Sequence, residues 1–291
     1  MRHSCRKYHD AAEVVREESS LRLRDMIGFR KHVEQIRGRR GERFPDEWYE
    51  RPYGYDAHLQ KRKIKGNGDA IIFPSFVTKA DYEFEICLYF PYPFETKDER
   101  EAIEFVTRDA FFTIFNDTSA RDFQPSDMAM RLSVAPSKGI AEKSFGPWMV
   151  PASNFDFDEN GVPYIHMRLF VKHWRDVSWD LRCEDNFRSI YFDDPKTGAK
   201  KCWSFAQVIA WYGRMNQGFE KGDLLASGTI GNGCIAEFAA RIDSVTGQEI
   251  EPAKYPWLQE GDSIRMDAGA LGVLENEVAF VTMPDPRRLN P

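Results

Sequence analysis

The sequence lacks the features of a membrane-embedded, secreted or zinc-stabilised protein. No apolar run in the 291 residues approaches membrane-spanning length, and charges throughout the first twenty residues exclude a secretory signal with an apolar core. The five cysteines are odd in number and widely spaced, without a CxxC pair or a Cys/His cluster of zinc spacing. We therefore expect a soluble cytoplasmic protein with reduced thiols and no structural zinc.

The chain also lacks the charge of a nucleic-acid-binding protein. Its formal net charge is -6, whereas binding to a phosphate backbone requires clustered Lys and Arg. The local exception is the basic run Arg37, Arg39 and Arg40. This run fits a solvated helix end or, in the alternative interpretation, an anion-binding arginine near a site.

Short apolar runs separated by turn residues predict a chain dominated by β-strands. Such runs occur within 66–90 and again at 111–115, where FFTIF is typical of a buried strand. Neither a βαβ rhythm nor a repeat of fixed period is present. The pattern favours an α+β fold that is mainly β with flanking helices, arranged as a mixed β-sandwich roll.

Three segments have apolar residues at helical spacing. They are 24–41, 98–108 and 205–215, and Ser204 is a predicted cap for the last of them. We interpret residues 21–291 as a single domain, preceded by a loose arm over residues 1–20.

Glu83 and Glu85 lie in the predicted strand DYEFEICLYF, where side chains two residues apart share one face. The same face continues with Cys87 and Tyr89, so both faces of the strand are expected to be at least partly buried. Two adjacent buried carboxylates repel one another unless a cation or hydrogen-bond donors compensate them. The pair therefore indicates an oxygen-ligated metal ion, and the alternative is an ordinary solvated strand face.

A polar cluster follows the predicted strand FFTIF. It spans 116–124 (NDTSARDFQ), and Asp117 in it could supply a third carboxylate to the same site. An oxygen-only ligand set suits Mg²⁺, or Mn²⁺ or Ca²⁺, better than zinc or copper. The alternative for this cluster is a turn with an Asp cap.

The order of these motifs resembles the fumarylacetoacetate hydrolase family. The ExE pair and NDxSARDxQ are followed by KSFG with Pro147 and Trp148, by GDLLASGTIGNG at 222–233, and by WLQEGDSIRMDAGALGVLENEV at 257–278. These matches together cover about residues 24–280. The resemblance implies the fold of the C-terminal domain of fumarylacetoacetate hydrolase, a divalent metal ion, a small keto substrate and a homodimer.

The resemblance implies metal ligands and a catalytic dyad. The implied ligands are Glu83, Glu85 and Asp117, with Asp25 as a possible fourth on the same predicted lid helix (24–45) as His32. His32 is the implied general base, although a lone His beside an apolar stripe is more often a packed or surface residue. The implied acidic partner of His32 is Glu237, and Glu34 is the fallback partner.

Further residues match positions around the reacting carbonyl and the substrate. Arg121, Gln124 and Lys143 are expected near the carbonyl; Thr229, Tyr55, Ile27 and Met128 are expected near the substrate. Arg121 could instead form a salt bridge to Asp122 or Glu85, and Thr229 and Tyr55 could be turn-packing residues.

The sequence departs from fumarylacetoacetate hydrolase itself at three positions. Ile27 and Met128 stand where that enzyme has tyrosines that touch the substrate, and Pro147 replaces a threonine. A pocket without these hydroxyls is less suited to a polar diacid.

The resemblance implies a hydrolase that cleaves a carbon–carbon bond in a 1,3-diketone or acylpyruvate-like substrate, through a metal-bound enolate and a His-activated water. The alternatives are a 2-oxo acid decarboxylase, isomerase or hydratase on the same metal site, or a non-catalytic protein that binds a keto acid.

Overall fold

The computed structural model describes residues 9–130, 133–243 and 246–288. The α-helices in these ranges are α1 (Ala11–Glu18), α2 (Arg30–Arg39), α3 (Glu99–Arg108), α4 (Gln124–Ala129), α5 (Ala135–Lys138) and α6 (Phe205–Arg214). The strands are β1 (His9–Asp10), β2 (Arg22–Met26), β3 (Gly54–His58), β4 (Ile64–Lys65), β5 (Ile71–Pro74), β6 (Ala80–Asp81), β7 (Phe84–Tyr89), β8 (Phe111–Asn116), β9 (Ser119–Ala120), β10 (Lys143–Pro151), β11 (His166–Lys172), β12 (Asp180–Asn186), β13 (Tyr191–Asp193), β14 (Lys200–Cys202), β15 (Leu224–Ala226), β16 (Arg241–Ile242), β17 (Glu249–Glu251), β18 (Ser263–Asp267) and β19 (Val273–Val281).

Two mixed sheets form the body of the protein. The larger sheet has the order β1-β10-β8-β7-β15-β2-β3, with β4 also paired to β10, and the smaller has the order β12-β11-β18-β19-β5. Alternate residues of β7, such as Ile86 and Leu88, share one hydrophobic core with Met167 of β11 and Met266 of β18. The predicted fold class, mainly β with flanking helices in a mixed sandwich, is confirmed.

The opposite face of the larger sheet is covered by α1. Its Ala12 and Val15 pack with Cys87 and Phe115 of the sheet, and Asp10 caps the helix by accepting a hydrogen bond from the Glu13 amide at 2.8 Å. Residues 9–18 of the predicted loose arm are therefore packed structure, because four apolar positions in this short helix find a sheet face to bury. Residues 1–8 of that arm lie outside the described residues.

The predicted helix over 24–41 is wrong in its first third. Arg22–Met26 forms β2, which pairs with β3 and β15, and α2 begins only at Arg30. The apolar spacing of this segment fits a helix in isolation, but hydrogen bonding to two neighbouring strands decides its structure. Between them, Gly28 approaches the backbone so closely that a Cβ there would lie 2.5 Å from the Ser227 carbonyl oxygen.

The other predicted helices and the buried strand agree with the structure. Glu99–Arg108 and Phe205–Arg214 are helical, and Phe111–Asn116 is a strand. Ser204 caps α6 through a capping box with Gln207. None of the described helices combines the length and apolar character that crossing a bilayer requires.

Candidate metal and catalytic site

The register of the larger sheet brings the acidic residues onto one face. Glu85 pairs with Phe115 across β7 and β8, so the alternation that continues beyond β8 places Asp117 on the face that Glu85 occupies. Asp25 of β2 pairs with Ala226 of β15, which pairs with Cys87 of β7, and register partners share a face. Side chains from three strands therefore converge at one end of the sheet.

Asp25, Glu85 and Asp117 form a tight acidic cluster. One carboxylate oxygen of each lies within 4.8 Å of the others, and all three side chains are buried. Burial and the neighbouring negative charges raise the pKa of Asp25 and that of Glu85 well above their ordinary values. Asp25 Oδ1 accepts no hydrogen bond from any described residue. This donor set fits a hard divalent cation, which would compensate the charges.

Glu83 lies beside this cluster, but its oxygens are already engaged. Arg121 Nη2 donates to Glu83 Oε1 at 2.6 Å, and Lys138 Nζ donates to Glu83 Oε2. Burial acts to raise the pKa of Glu83, but Arg121 and Lys138 outweigh it and lower the pKa. The predicted ligands thus differ in how their charge is compensated. The charge of Glu83 is compensated by Arg121 and Lys138. Asp25, which the sequence analysis gave only as a possible fourth ligand, lies within the cluster.

Lys138 is a buried residue of the site that sequence reasoning missed. Its buried ammonium contacts both Glu83 and Asp117, while Lys143 contacts Asp117 and donates to the Thr118 carbonyl. Although burial acts to raise it, the two lysines hold the pKa of Asp117 well below its ordinary value. The segment around Lys138 has no periodicity that would have indicated a buried position.

His32 and Glu237 form a hydrogen-bonded pair. His32 Nδ1 lies 3.0 Å from Glu237 Oε1, and Glu237 Oε2 accepts a hydrogen bond from the Cys234 amide at 3.1 Å. Burial raises the pKa of Glu237, although His32 acts to lower it. The fallback partner Glu34 instead pairs with Arg30 at 3.2 Å on the exposed side of α2. The dyad leaves His32 Nε2 for another partner.

Asp81 is a second residue that the sequence reasoning missed. It accepts a hydrogen bond from Arg121 Nε at 2.8 Å and from the amides of Ile235 and Ala236 at 2.7 and 3.0 Å. Arg121 therefore pairs with Asp81 and Glu83, not with Asp122 or Glu85. Because Ile235–Phe238 is the 3₁₀ turn that carries Glu237, Asp81 ties Arg121 to the dyad. Its position two residues before Glu83 was an available signal.

Most of the predicted site residues line one cavity of about 480 Å³. Those that line it are Asp25, Ile27, His32, Tyr55, Glu83, Glu85, Arg121, Gln124, Met128 and Thr229. Asp117 and Lys143 line an adjacent cavity of about 70 Å³, and Lys138 lines both. Glu237 lies behind His32 and lines neither of these two cavities.

Several polar residues of the main cavity orient its charged groups. Thr229 Oγ1 donates to Glu85 Oε1 at 3.2 Å, and the Tyr55 hydroxyl donates to Asp117 Oδ2 at 3.0 Å. Gln124 Oε1 accepts a hydrogen bond from Arg121 Nη1 at 3.2 Å, so its amide NH₂ is available to a ligand.

Solved structures with the same fold include enzymes of two reaction types. Fumarylpyruvate hydrolase from Pseudomonas aeruginosa, in complex with Mn²⁺ and pyruvate, is 15% identical with a TM-score of 0.60, over 97% of this chain and 94% of that one. The 5-carboxymethyl-2-hydroxymuconate delta-isomerase from Mycobacterium smegmatis is 19% identical with a TM-score of 0.57, over 91% and 78%. Cg1458, solved with an inhibitor, is 19% identical with a TM-score of 0.63, over 91% and 78%. A comparison with curated proteins found no match.

At these identities the structural likeness establishes the fold. The family comes from the sequence itself, because residues 23–279 match the family of the fumarylacetoacetate (FAA) hydrolase C-terminal domain. This match covers most of the described residues and every strand of the two large sheets except β1, in whole or in large part. The chain therefore belongs to the fumarylacetoacetate hydrolase family.

Proposed function

We propose that this chain is a divalent-metal-dependent hydrolase that cleaves a carbon–carbon bond in a 1,3-diketone or acylpyruvate-like substrate. The observation that carries the proposal is that Asp25 and Glu85 of the buried carboxylate cluster line the same cavity as His32, which is backed by Glu237. Solved structures of this fold include a hydrolase and an isomerase, so the choice between these reactions depends on the residues of this site.

Asp25, Glu85 and Asp117 would hold the metal ion, with Glu83 beside them. Oxygen ligands favour Mg²⁺, or Mn²⁺ or Ca²⁺, and the Mn²⁺ in the fumarylpyruvate hydrolase structure supports this class of ion. When bound, such an ion supplies Lewis-acid polarisation of a substrate carbonyl. Thr229 and Tyr55 orient the carboxylates of Glu85 and Asp117 through their hydroxyl groups.

His32 is the general base in this proposal. Glu237 accepts the Nδ1 proton of the imidazole, which leaves Nε2 to take a proton from water. The water oxygen adds to the substrate carbonyl carbon, and its proton goes to His32. The adjacent carbon–carbon bond then breaks with its electron pair on the departing carbon, which takes up a proton. A carboxylic acid and a ketone are released.

Arg121, Gln124 and Lys138 surround the place where negative charge would develop. Lys143 was the lysine predicted for this role, but Lys138 is the one that lines the main cavity, while Lys143 lines the smaller one. Preorganised cations and amide donors stabilise an oxyanion without reorganisation during the reaction. We therefore assign the cationic position to Lys138 and a supporting position beside Asp117 to Lys143.

The rival functions make weaker use of this arrangement. A decarboxylase or isomerase on the same metal site adds no water to its substrate and so has no need of a water-activating base backed by a buried carboxylate. A hydratase adds water but breaks no carbon–carbon bond, so it makes less use of the cationic donors around the carbonyl. A non-catalytic keto-acid-binding protein needs neither the dyad nor the cluster of cationic donors. The homodimer and the cytoplasmic location remain predictions of the sequence analysis.

The test is product release from a panel of 1,3-diketones and acylpyruvates with Mg²⁺ or Mn²⁺. The wild type, the EDTA-treated protein and His32→Ala are compared, with Glu34→Ala as a matched control on the same helix. We expect metal-dependent release of two products and a loss of about 100-fold or more in kcat/KM in His32→Ala alone. Full activity in His32→Ala would contradict the proposed hydrolysis.

A further inference from the structure

Part of the lining of the main cavity is apolar. Besides its charged and polar residues, the cavity is lined by Ile27, Val33, Ile36, Pro45, Trp48, Tyr53, Met128 and Val134. These residues belong to α2 and the segment before it, to the 3₁₀ turn Asp46–Tyr49 and the residues on either side of it, and to the segment around α4 and α5. The cavity thus combines a charged floor, which contains the carboxylates of Asp25 and Glu85, with an apolar section formed by these eight side chains.

These walls are built before any ligand arrives. Trp48 is buried, its Nε1 donates to the Ile27 carbonyl at 2.8 Å, and its ring packs against Phe192 with centroids 4.6 Å apart. Val33 belongs to the same small hydrophobic cluster. Ile27, by contrast, is 38% exposed although its side chain lines the cavity. A preformed wall with an uncovered apolar side chain favours an apolar ligand group.

Charged groups border the same section and define the competing ligand class. Arg37 Nη1 pairs with Glu42 Oε2 at 2.8 Å. Arg40 Nη1 lies 3.3 Å from the Met128 sulfur, and no carboxylate of the described residues forms a salt bridge with it. Arg40 is the group that would favour a substrate ending in a carboxylate. Eight apolar side chains line this section, and Arg40 is one guanidinium beside them. The lining therefore favours an apolar substituent over a terminal carboxylate.

We propose that the substrate carries a bulky apolar substituent, an aromatic ring or a branched alkyl group, on the side of the reacting carbonyl that faces α2 and α4. This inference rests on the proposed function and specifies its substrate class. The 2-oxo acid end of the substrate would meet the charged floor, and the substituent would fill the apolar section. Each buried methylene group is worth about fourfold in binding, so a ring gains much more than a methyl group.

The first experiment compares three 2,4-dioxo acids that share the reacting atoms. They carry a methyl group, a phenyl ring or a carboxyvinyl group at the distal carbonyl and are assayed with the Mn²⁺-loaded protein. We expect kcat/KM for the phenyl compound to exceed that for the methyl compound by on the order of 30-fold. Equal or better turnover of the carboxyvinyl compound would overturn the inference and assign Arg40 to a terminal carboxylate.

A pair of matched variants connects the preference to the walls. Met128→Gln keeps the side-chain length but places an amide in the apolar section, whereas Met130→Gln changes a residue that is 70% exposed two positions further on. We expect the phenyl-to-methyl ratio to fall about tenfold in Met128→Gln and to stay unchanged in Met130→Gln. An unchanged ratio in both variants would contradict the inference.

A binding measurement separates failure of this inference from failure of the proposed function. Benzoate, acetate and fumarate are titrated into the Mn²⁺-loaded protein by calorimetry, which requires no turnover. We expect benzoate to bind at least about tenfold more tightly than acetate or fumarate, and Met128→Gln to remove this difference. If no dioxo acid is cleaved but benzoate is preferred, only the proposed reaction fails; if benzoate shows no preference, the apolar-substituent inference fails.

Discussion

The floor and the wall of the cavity are built in different ways. The floor consists of carboxylates from β2, β7 and the end of β8, all buried and all placed by strand register. The wall that carries His32 is helix α2. Val33 is the buried residue of this helix, and side-chain contacts hold the helix against the rest of the protein. Strand register thus brings together buried carboxylates whose charges other groups must compensate. Side-chain contacts instead position His32, a base that can be substituted with little effect on folding.

Several polar contacts of α2 reach residues between 232 and 251. His32 pairs with Glu237, Gln35 and Asn232 exchange two hydrogen bonds, and Arg39 donates to the Glu237 carbonyl and pairs with Glu251. Glu237 thus contacts α2 through both its side chain and its backbone. The difference between floor and wall predicts that floor substitutions change metal binding and stability, while wall substitutions change turnover.

The largest effect is expected from Asp117→Asn in the floor. Loss of this carboxylate removes a proposed metal ligand and leaves Lys138 and Lys143 beside a neutral amide. We expect Mn²⁺ affinity to fall at least about 100-fold, kcat/KM to fall about a thousandfold, and the metal-free protein to lose about 3 kcal/mol of unfolding free energy. Calorimetry and urea unfolding in EDTA measure these changes.

The matched control for Asp117→Asn is Asp122→Asn in the same polar segment. Asp122 accepts hydrogen bonds from the amide and hydroxyl of Thr78 and lies away from the carboxylate cluster. This variant should retain Mn²⁺ binding and activity. If Asp117→Asn binds Mn²⁺ as tightly as Asp122→Asn does, Asp117 is not a ligand.

Glu85→Gln is expected to have the opposite effect on the metal-free protein. Burial and the charges of Asp25 and Asp117 raise the pKa of Glu85, so its ionised form opposes folding. The folded state retains a proton that the unfolded chain releases above about pH 4, so this destabilisation grows with rising pH by up to about 1.4 kcal/mol per pH unit until the folded-state pKa is reached.

The measurement is urea unfolding of the wild type and Glu85→Gln in EDTA between pH 5 and pH 8. We expect the variant to gain stability relative to the wild type as the pH rises, although its Mn²⁺ affinity is reduced. Glu104→Gln, on the exposed side of α3, is the matched control variant. A Glu85→Gln protein that becomes relatively less stable with rising pH would show that the floor carboxylates are compensated without a metal ion.

The smallest effect is expected from Gln35→Ala in the wall. This change removes both hydrogen bonds to Asn232, at 2.6 and 3.3 Å, and leaves the floor untouched. We expect kcat to fall a few-fold and the unfolding free energy to change by about 1 kcal/mol or less. Amide exchange should become faster in α2 and remain unchanged in β7 and β8, and equal exchange in α2 of both proteins would contradict a role for this contact.

The floor could be predicted in part because strand alternation is a local property. Glu83 and Glu85 sit two residues apart, and the polar segment after β8 follows a clear apolar run, so both signals lie within a few residues of sequence. The wall was harder to predict. The helix was expected to begin at 24, because the apolar spacing there does not reveal that β3 and β15 pair with the preceding segment.

The sequence by itself determined the family and the fold class and indicated Glu83, Glu85 and Asp117 as candidate ligands, because these depend on motif order and on short-range periodicity. Tertiary structure decided which of those residues meet. Strand pairing carried Asp25 into the cluster, Arg121 and Lys138 neutralised Glu83, and Lys138 took the place expected for Lys143 at the main cavity. The physical reason is that burial and charge compensation depend on neighbours that are distant in sequence, which no local pattern records.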